Sequence, residues 1–105
     1  MTDILERLAR TVAEKRAADP KSSWTAQLLA AGPEKAAQKF GEEAVEAVIE
    51  AVRGDRDRLA AEAADVLYHL VVMLAAREVE LDAVLKVLEE REGISGVDEK
   101  AARGS

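Results

Sequence analysis

Two acidic clusters, Glu42-Glu43-x-x-Glu46 and Glu62-x-x-Asp65, hold the side chains of this 105-residue sequence with the clearest capacity for chemistry. At about 100° per residue, a helix through the first cluster gathers Lys39, Glu42, Glu43, Glu46 and Glu50 on one face. Left in solvent, that would be an ordinary wet face, because carboxylates three and four apart repel only weakly there. The second cluster is harder to dismiss. From Val66 to Ala76 the chain is apolar almost all round, broken only by Tyr68 and His69, which is the pattern of a buried helix. Glu62, Asp65 and His69 nevertheless share one stripe of it.

A carboxylate taken out of water without a partner is costly, so a cation has to stand nearby. Lys or Arg in an internal ion-pair network would serve, and so would a divalent metal. Antiparallel packing of the two helices sets Glu43 and Glu46 opposite Glu62 and Asp65. Four hard oxygen donors suit Mg²⁺ or Mn²⁺ and leave coordination positions for water and phosphate oxygens. A di-iron bundle site fits less well, because the residues three beyond Glu43 and Glu62 are Glu46 and Asp65 rather than His. His69 is the sole histidine. It reads as a hydrogen-bonded core residue, one turn from Asp65 and placed to orient that carboxylate.

The elements that must position these residues are helices. The first is expected from about Asp3 to Ala18, with Asp3 and Glu6 as a capping box and Ile4, Leu5, Leu8 and Val12 as its apolar stripe. Asp19-Pro20 breaks it. A short helix follows from about Trp24 to Ala31, capped by Ser23 and stopped by Gly32. Pro33 opens a long helix to Arg53, Gly54-Asp55 supplies the next stop and cap, and a fourth helix runs from Arg56 to about Glu78. A fifth covers about Leu81 to Arg91. The expected fold is all-α, an antiparallel bundle of four to five helices in one domain over residues 1–93, with a loosely held tail over 94–105. Several apolar stripes on so small a chain predict burial against a second copy, hence a homodimer.

Composition narrows the partners. Only Trp24, Phe40 and Tyr68 are aromatic, so Ala, Leu, Val and Ile must build the core, which suits helices. A net charge of −6 argues against nucleic acid or an anionic membrane as the main partner, while leaving a small phosphorylated ligand open. The absence of cysteine excludes disulfides, thiolate metal sites and cysteine nucleophiles. The start lacks a signal-peptide pattern and the apolar run Leu70 to Ala76 is too short for a bilayer, so a cytoplasmic location is expected.

The run Lys39-Phe40-Gly41-Glu42-Glu43-Ala44-Val45-Glu46, followed by Glu62-Ala63-Ala64-Asp65-Val66-Leu67-Tyr68-His69, resembles the E-E-x-x-E … E-x-x-D signature of the all-α, MazG-like nucleotide pyrophosphohydrolases. More narrowly, the chain resembles the phosphoribosyl-ATP pyrophosphohydrolase family. That likeness covers Ser22-Ser23-Trp24-Thr25, Leu28-Leu29, Gly32, Lys35, Lys39, Tyr68-His69-Leu70 and Leu88 to Arg91. Trp24 and Phe40 depart from it, standing where the family often has Tyr and an aliphatic residue.

The resemblance implies hydrolysis of phosphoribosyl-ATP to phosphoribosyl-AMP and pyrophosphate, the second step of histidine biosynthesis. It implies Mg²⁺ held by Glu43, Glu46, Glu62 and Asp65, with Glu42 as a further ligand or outer acceptor and either Glu42 or Glu46 as the water's base. Lys39, and Lys35 in the first turn of its helix, become candidates for the substrate's phosphates. Ser23 is either a cap or a further phosphate contact. Two other functions fit the same residues: a relative acting on other nucleoside triphosphates, or a non-catalytic helical module for oligomerisation.

Overall fold

The computed structural model describes residues 3–93, so the expected tail at 94–105 lies outside the described residues. Within them the chain forms five α-helices and no strand: α1 (Asp3–Glu14), α2 (Trp24–Ala31), α3 (Pro33–Arg53), α4 (Arg56–Ala76) and α5 (Leu81–Arg91). The all-α expectation holds.

Local chemistry sets most of the boundaries. The Ser23 hydroxyl accepts from the Ala26 amide at 3.1 Å and so caps α2. Gly32 ends that helix at φ 102°, and Pro33 starts α3 where a missing N–H costs nothing. Gly54 closes α3 in the left-handed region at φ 82°. The Asp55 carboxylate then accepts from the Arg58 amide at 3.0 Å to open α4.

Two helix ends differ from expectation. The first helix does not run unbroken to Ala18; it tightens into a 3₁₀ turn at Lys15–Ala17. There the Arg16 guanidinium donates to the Ala75 carbonyl and ties the turn to the end of α4. The fourth helix stops at Ala76 rather than Glu78. The Val79 amide reaches back to the Leu74 carbonyl at 2.9 Å and Glu78 to Ala75 at 3.0 Å, with Glu78 itself at φ 58°. These bonds make a Schellman end in which Glu78 fills the place glycine usually takes.

The α3–α4 antiparallel hairpin is the spine, with α1 and α2 laid against it. Their meeting point is a small core of Val12, Leu28, Ala36, Val71 and Val72, backed by Leu8, Leu29, Tyr68 and Met73. Fully burying a Val or Leu side chain contributes roughly 1.5–3 kcal/mol, so this core is thin for a chain of such length. The apolar surface does not all go inside. On α3, Val45, Val48, Ile49 and Val52 are exposed, Val52 by 83%. On α4, expected to be buried, only His69, Val71 and Val72 are, and Leu67 is exposed. By length and a mean hydropathy of 1.6, α4 matches a membrane span, but it carries Glu62, Asp65 and His69 and pairs along its length with α3.

Candidate metal centre

Antiparallel pairing brings the two acidic stripes face to face. Glu43 of α3 and Glu62 and Asp65 of α4 each offer one carboxylate oxygen, and the three oxygens lie within 4.8 Å of one another. The edges and diagonals of an octahedron around Mg²⁺ span about 3–4.2 Å, so a small side-chain adjustment would close this set on one ion. Glu46 stands one turn beyond Glu43, near enough for its charge to act on both Glu43 and Glu62.

The electrostatics are those of crowded carboxylates. Loss of hydration pushes the Glu43 carboxyl above its ordinary range, and the neighbouring Glu46 adds to the rise. Glu62 is raised the same way, by desolvation first and then by the charges of Glu46, Asp65 and Glu50. One Glu62 oxygen, Oε2, is buried and meets no protein donor. The salt bridges among the described residues are Lys39–Glu42 at 3.1 Å and Arg58–Asp55 at 3.7 Å, and neither involves Glu43, Glu62 or Asp65. An internal ion-pair network therefore does not account for these acids. Hard oxygen donors, an orphaned buried oxygen and no basic partner in contact fit a divalent cation.

The remaining candidates fall around this centre in different ways. Glu42 is exposed, and its carboxylate accepts from Gln38 Nε2 at 3.0 Å and from Lys39 Nζ at 3.1 Å. The Gln38 bond, then Lys39, hold it below the usual carboxylate range. Lys39 is half-buried and also lies over the Trp24 ring. Lys35 is exposed one turn earlier. The Ser23 hydroxyl is engaged as a helix cap, and the Thr25 hydroxyl bonds that of Tyr68. His69 is buried, but its Nδ1 donates to the main-chain carbonyl of Asp65 at 2.8 Å rather than to the carboxylate. It fixes the helix turn that carries Asp65, and its Nε2 is buried without a protein partner.

Glu50 was on the predicted acidic face but not singled out. Only 8% of it is exposed, and its Oε1 is buried without a partner. The signal is its place one turn after Glu46 on the same acidic row. The groove of about 480 Å³ between α1, the end of α4 and α5 contains none of the clustered carboxylates. The clustered carboxylates lie instead on the α3–α4 face.

Comparison with known proteins identifies the lineage of this arrangement. The sequence model of the phosphoribosyl-ATP pyrophosphohydrolase family matches residues 5–92. A phosphoribosyl-ATP pyrophosphatase of Cereibacter sphaeroides (strain KD131) is 73% identical over 96% of this chain and 98% of its own length. The protein of the same name from Dinoroseobacter shibae is 69% identical over 95% and 98%. That from Paracoccus denitrificans is 66% identical over 94% and 92%. With both acidic clusters inside the matched span, the chain belongs to the phosphoribosyl-ATP pyrophosphohydrolase family.

Proposed function

We propose that this protein hydrolyses phosphoribosyl-ATP to phosphoribosyl-AMP and pyrophosphate, the second step of histidine biosynthesis, in the cytoplasm and with Mg²⁺ as cofactor. The observation that carries the reading is the convergence of Glu43, Glu62 and Asp65 within 4.8 Å in a chain of this family. Glu43, Glu46, Glu62 and Asp65 would hold the ion, and Mn²⁺ would substitute on the same oxygen donors. When bound, the metal supplies positive charge to the phosphate oxygens and lowers the pKa of water.

The chain's own residues do the rest. Lys39 and Lys35 attract the phosphates from the N-terminal half of α3, Lys39 by leaving Glu42 for a phosphate oxygen. Of the two candidate bases, Glu42 is held by Gln38 and Lys39, whereas Glu46 stands beside Glu43 and Glu62. We therefore assign acceptance of the water's proton to Glu46 and positioning of Lys39 to Glu42. His69 keeps the Asp65 turn of α4 in place through the main chain. The exposed row Val45, Val48, Ile49 and Val52, with Leu67, is the surface on which a second copy pairs.

The test is pyrophosphate release from phosphoribosyl-ATP, ATP and other nucleoside triphosphates by the native chain and Glu62→Gln, with and without EDTA. Release that is fastest with phosphoribosyl-ATP and lost in EDTA and in the variant supports the assignment. Faster release from another triphosphate would move the substrate, and equal rates in every condition would remove the catalytic reading.

A further inference from the structure

The surroundings of Trp24 offer a place for the base of a nucleotide. Trp24 opens α2 and is 49% exposed. It is a large apolar ring half in water, on a helix that is itself firmly held. Ala26 and Leu28 are buried and Ser23 caps the helix. The Thr25 hydroxyl bonds Tyr68, which lies three residues beyond Asp65 on α4. Lys39 Nζ lies 5.9 Å from the indole centroid, and Lys39 stands four residues before Glu43 on α3. At about 1.5 Å of rise per residue, Lys39 and the Tyr68 that holds Thr25 sit roughly one helical turn from the carboxylates, displaced toward the same end of the hairpin. The Lys39 contact is at the outer reach of a cation–π interaction, so it occupies the ring face only weakly.

We propose that the indole of Trp24 is the platform on which the purine base of the nucleotide stacks while its phosphates lie against the carboxylates of α3 and α4. This rests on the nucleotide-hydrolase reading above and names the group that recognises the base. Every base has a π face, so the stack itself favours any nucleotide over a bare polyphosphate. Lys39 links the two ends of the ligand, since its ammonium lies over the ring and pairs with Glu42, the residue before Glu43.

Trp24 is the chain's sole tryptophan, so its emission reports this place alone. The experiment is a titration of the full chain with Mg²⁺·ATP and, separately, with Mg²⁺·tripolyphosphate, excited at the red edge where adenine does not absorb. Saturable quenching by the nucleotide that tripolyphosphate does not reproduce supports stacking. Equal responses to both, or no response to the nucleotide, overturn it. An indole covered by a second copy would ignore the nucleotide and follow protein concentration, which overturns it as well.

Steady-state pyrophosphate release supplies the second arm. Trp24→Leu raises KM for phosphoribosyl-ATP about five- to hundred-fold with kcat nearly kept, and Trp24→Tyr restores most of the loss. An unchanged KM in Trp24→Leu overturns the proposal while leaving the hydrolase assignment intact. If the native chain releases no pyrophosphate, the hydrolase assignment fails, and the titration still decides stacking.

Discussion

The α3–α4 hairpin carries two regions that the single chain leaves incomplete, in opposite senses. On one face, Glu43, Glu62 and Asp65 crowd their oxygens together with no salt bridge from a basic side chain among the described residues. On another face of the same α3, Val45, Val48, Ile49 and Val52 stand in solvent. The first region has excess charge and the second excess apolar surface, and neither is repaired by the small core. On the proposed reading, a cation would complete the first and a second copy the second. The helix pairing that creates the site thus uses up little of the surface needed for assembly, and the two can be broken separately.

The largest separation should appear in activity. Glu62→Gln or Asp65→Asn removes a charged oxygen donor from the cluster, and pyrophosphate release should fall by more than the roughly 100-fold typical of losing an outer partner of a metal ligand. The oligomeric state, followed by sedimentation, should stay that of the native chain. A variant that became monomeric instead would show that the acidic face also holds the assembly together.

The converse substitution is Val48→Glu with Val52→Glu. Two carboxylates forced into an apolar contact each cost several kcal/mol or prevent it forming, so, if the proposed dimer forms, this variant should sediment as a monomer at concentrations where the native chain pairs. Its melting temperature should drop, because a thin core alone then carries the fold. An unchanged sedimentation coefficient would remove this row from the interface.

How much of this contrast was legible beforehand follows from where each signal is written. Helix limits marked by local chemistry read directly: Ser23, Gly32-Pro33 and Gly54-Asp55 each act on the backbone beside them. The end of α4 did not, because Glu78 occupies a left-handed position that carries no glycine to announce it. Glu62 and Asp65 were legible because acids on an apolar helix are anomalous, whereas Glu43 entered only through the antiparallel packing and the family signature. The burial of α4 was misjudged for the same pattern: periodicity reports that a face needs covering, and not whether the cover comes from this chain. Contacts between distant residues, such as Thr25 with Tyr68, left no mark in either residue's neighbourhood.

Cation binding and pH sharpen the acidic side further. Free Mg²⁺ at about a hundred times its Kd should add about 2.7 kcal/mol of stability. For a domain of this size that is a rise in Tm on the order of 10–20 °C, abolished in Glu62→Gln. Without metal the pH dependence has a definite sign. Glu43 and Glu62 have folded-state pKa values raised above 4.5, so their protonated forms favour the folded state and ionisation opposes it. In EDTA, Tm should therefore increase as the pH is lowered from neutrality toward about 4.5, and below that the depressed Glu42 works the other way. With Mg²⁺ present the slope should reverse, since protons compete with the ion for the same oxygens. A Tm in EDTA that only falls on acidification would contradict the strained cluster.

The smallest effect, and the finest test of where the two regions meet, concerns Glu50. It continues the acidic row one turn past Glu46 and its charge acts on Glu62, yet it is buried and its Oε1 has no partner. If it belongs to the crowded face only as one more negative charge, Glu50→Gln keeps the shape and relieves repulsion. Tm in EDTA should then rise by a few degrees, with the Mg²⁺-induced shift and the rate of pyrophosphate release kept within about twofold. If instead the Mg²⁺ shift collapses as it does in Glu62→Gln, Glu50 is itself a ligand and the metal face extends a full turn toward Gly54. A fall in Tm without metal, accompanied by dissociation, would place its carboxylate against a cation of the second copy. The boundary between charge and apolar surface would then run through Glu50 itself.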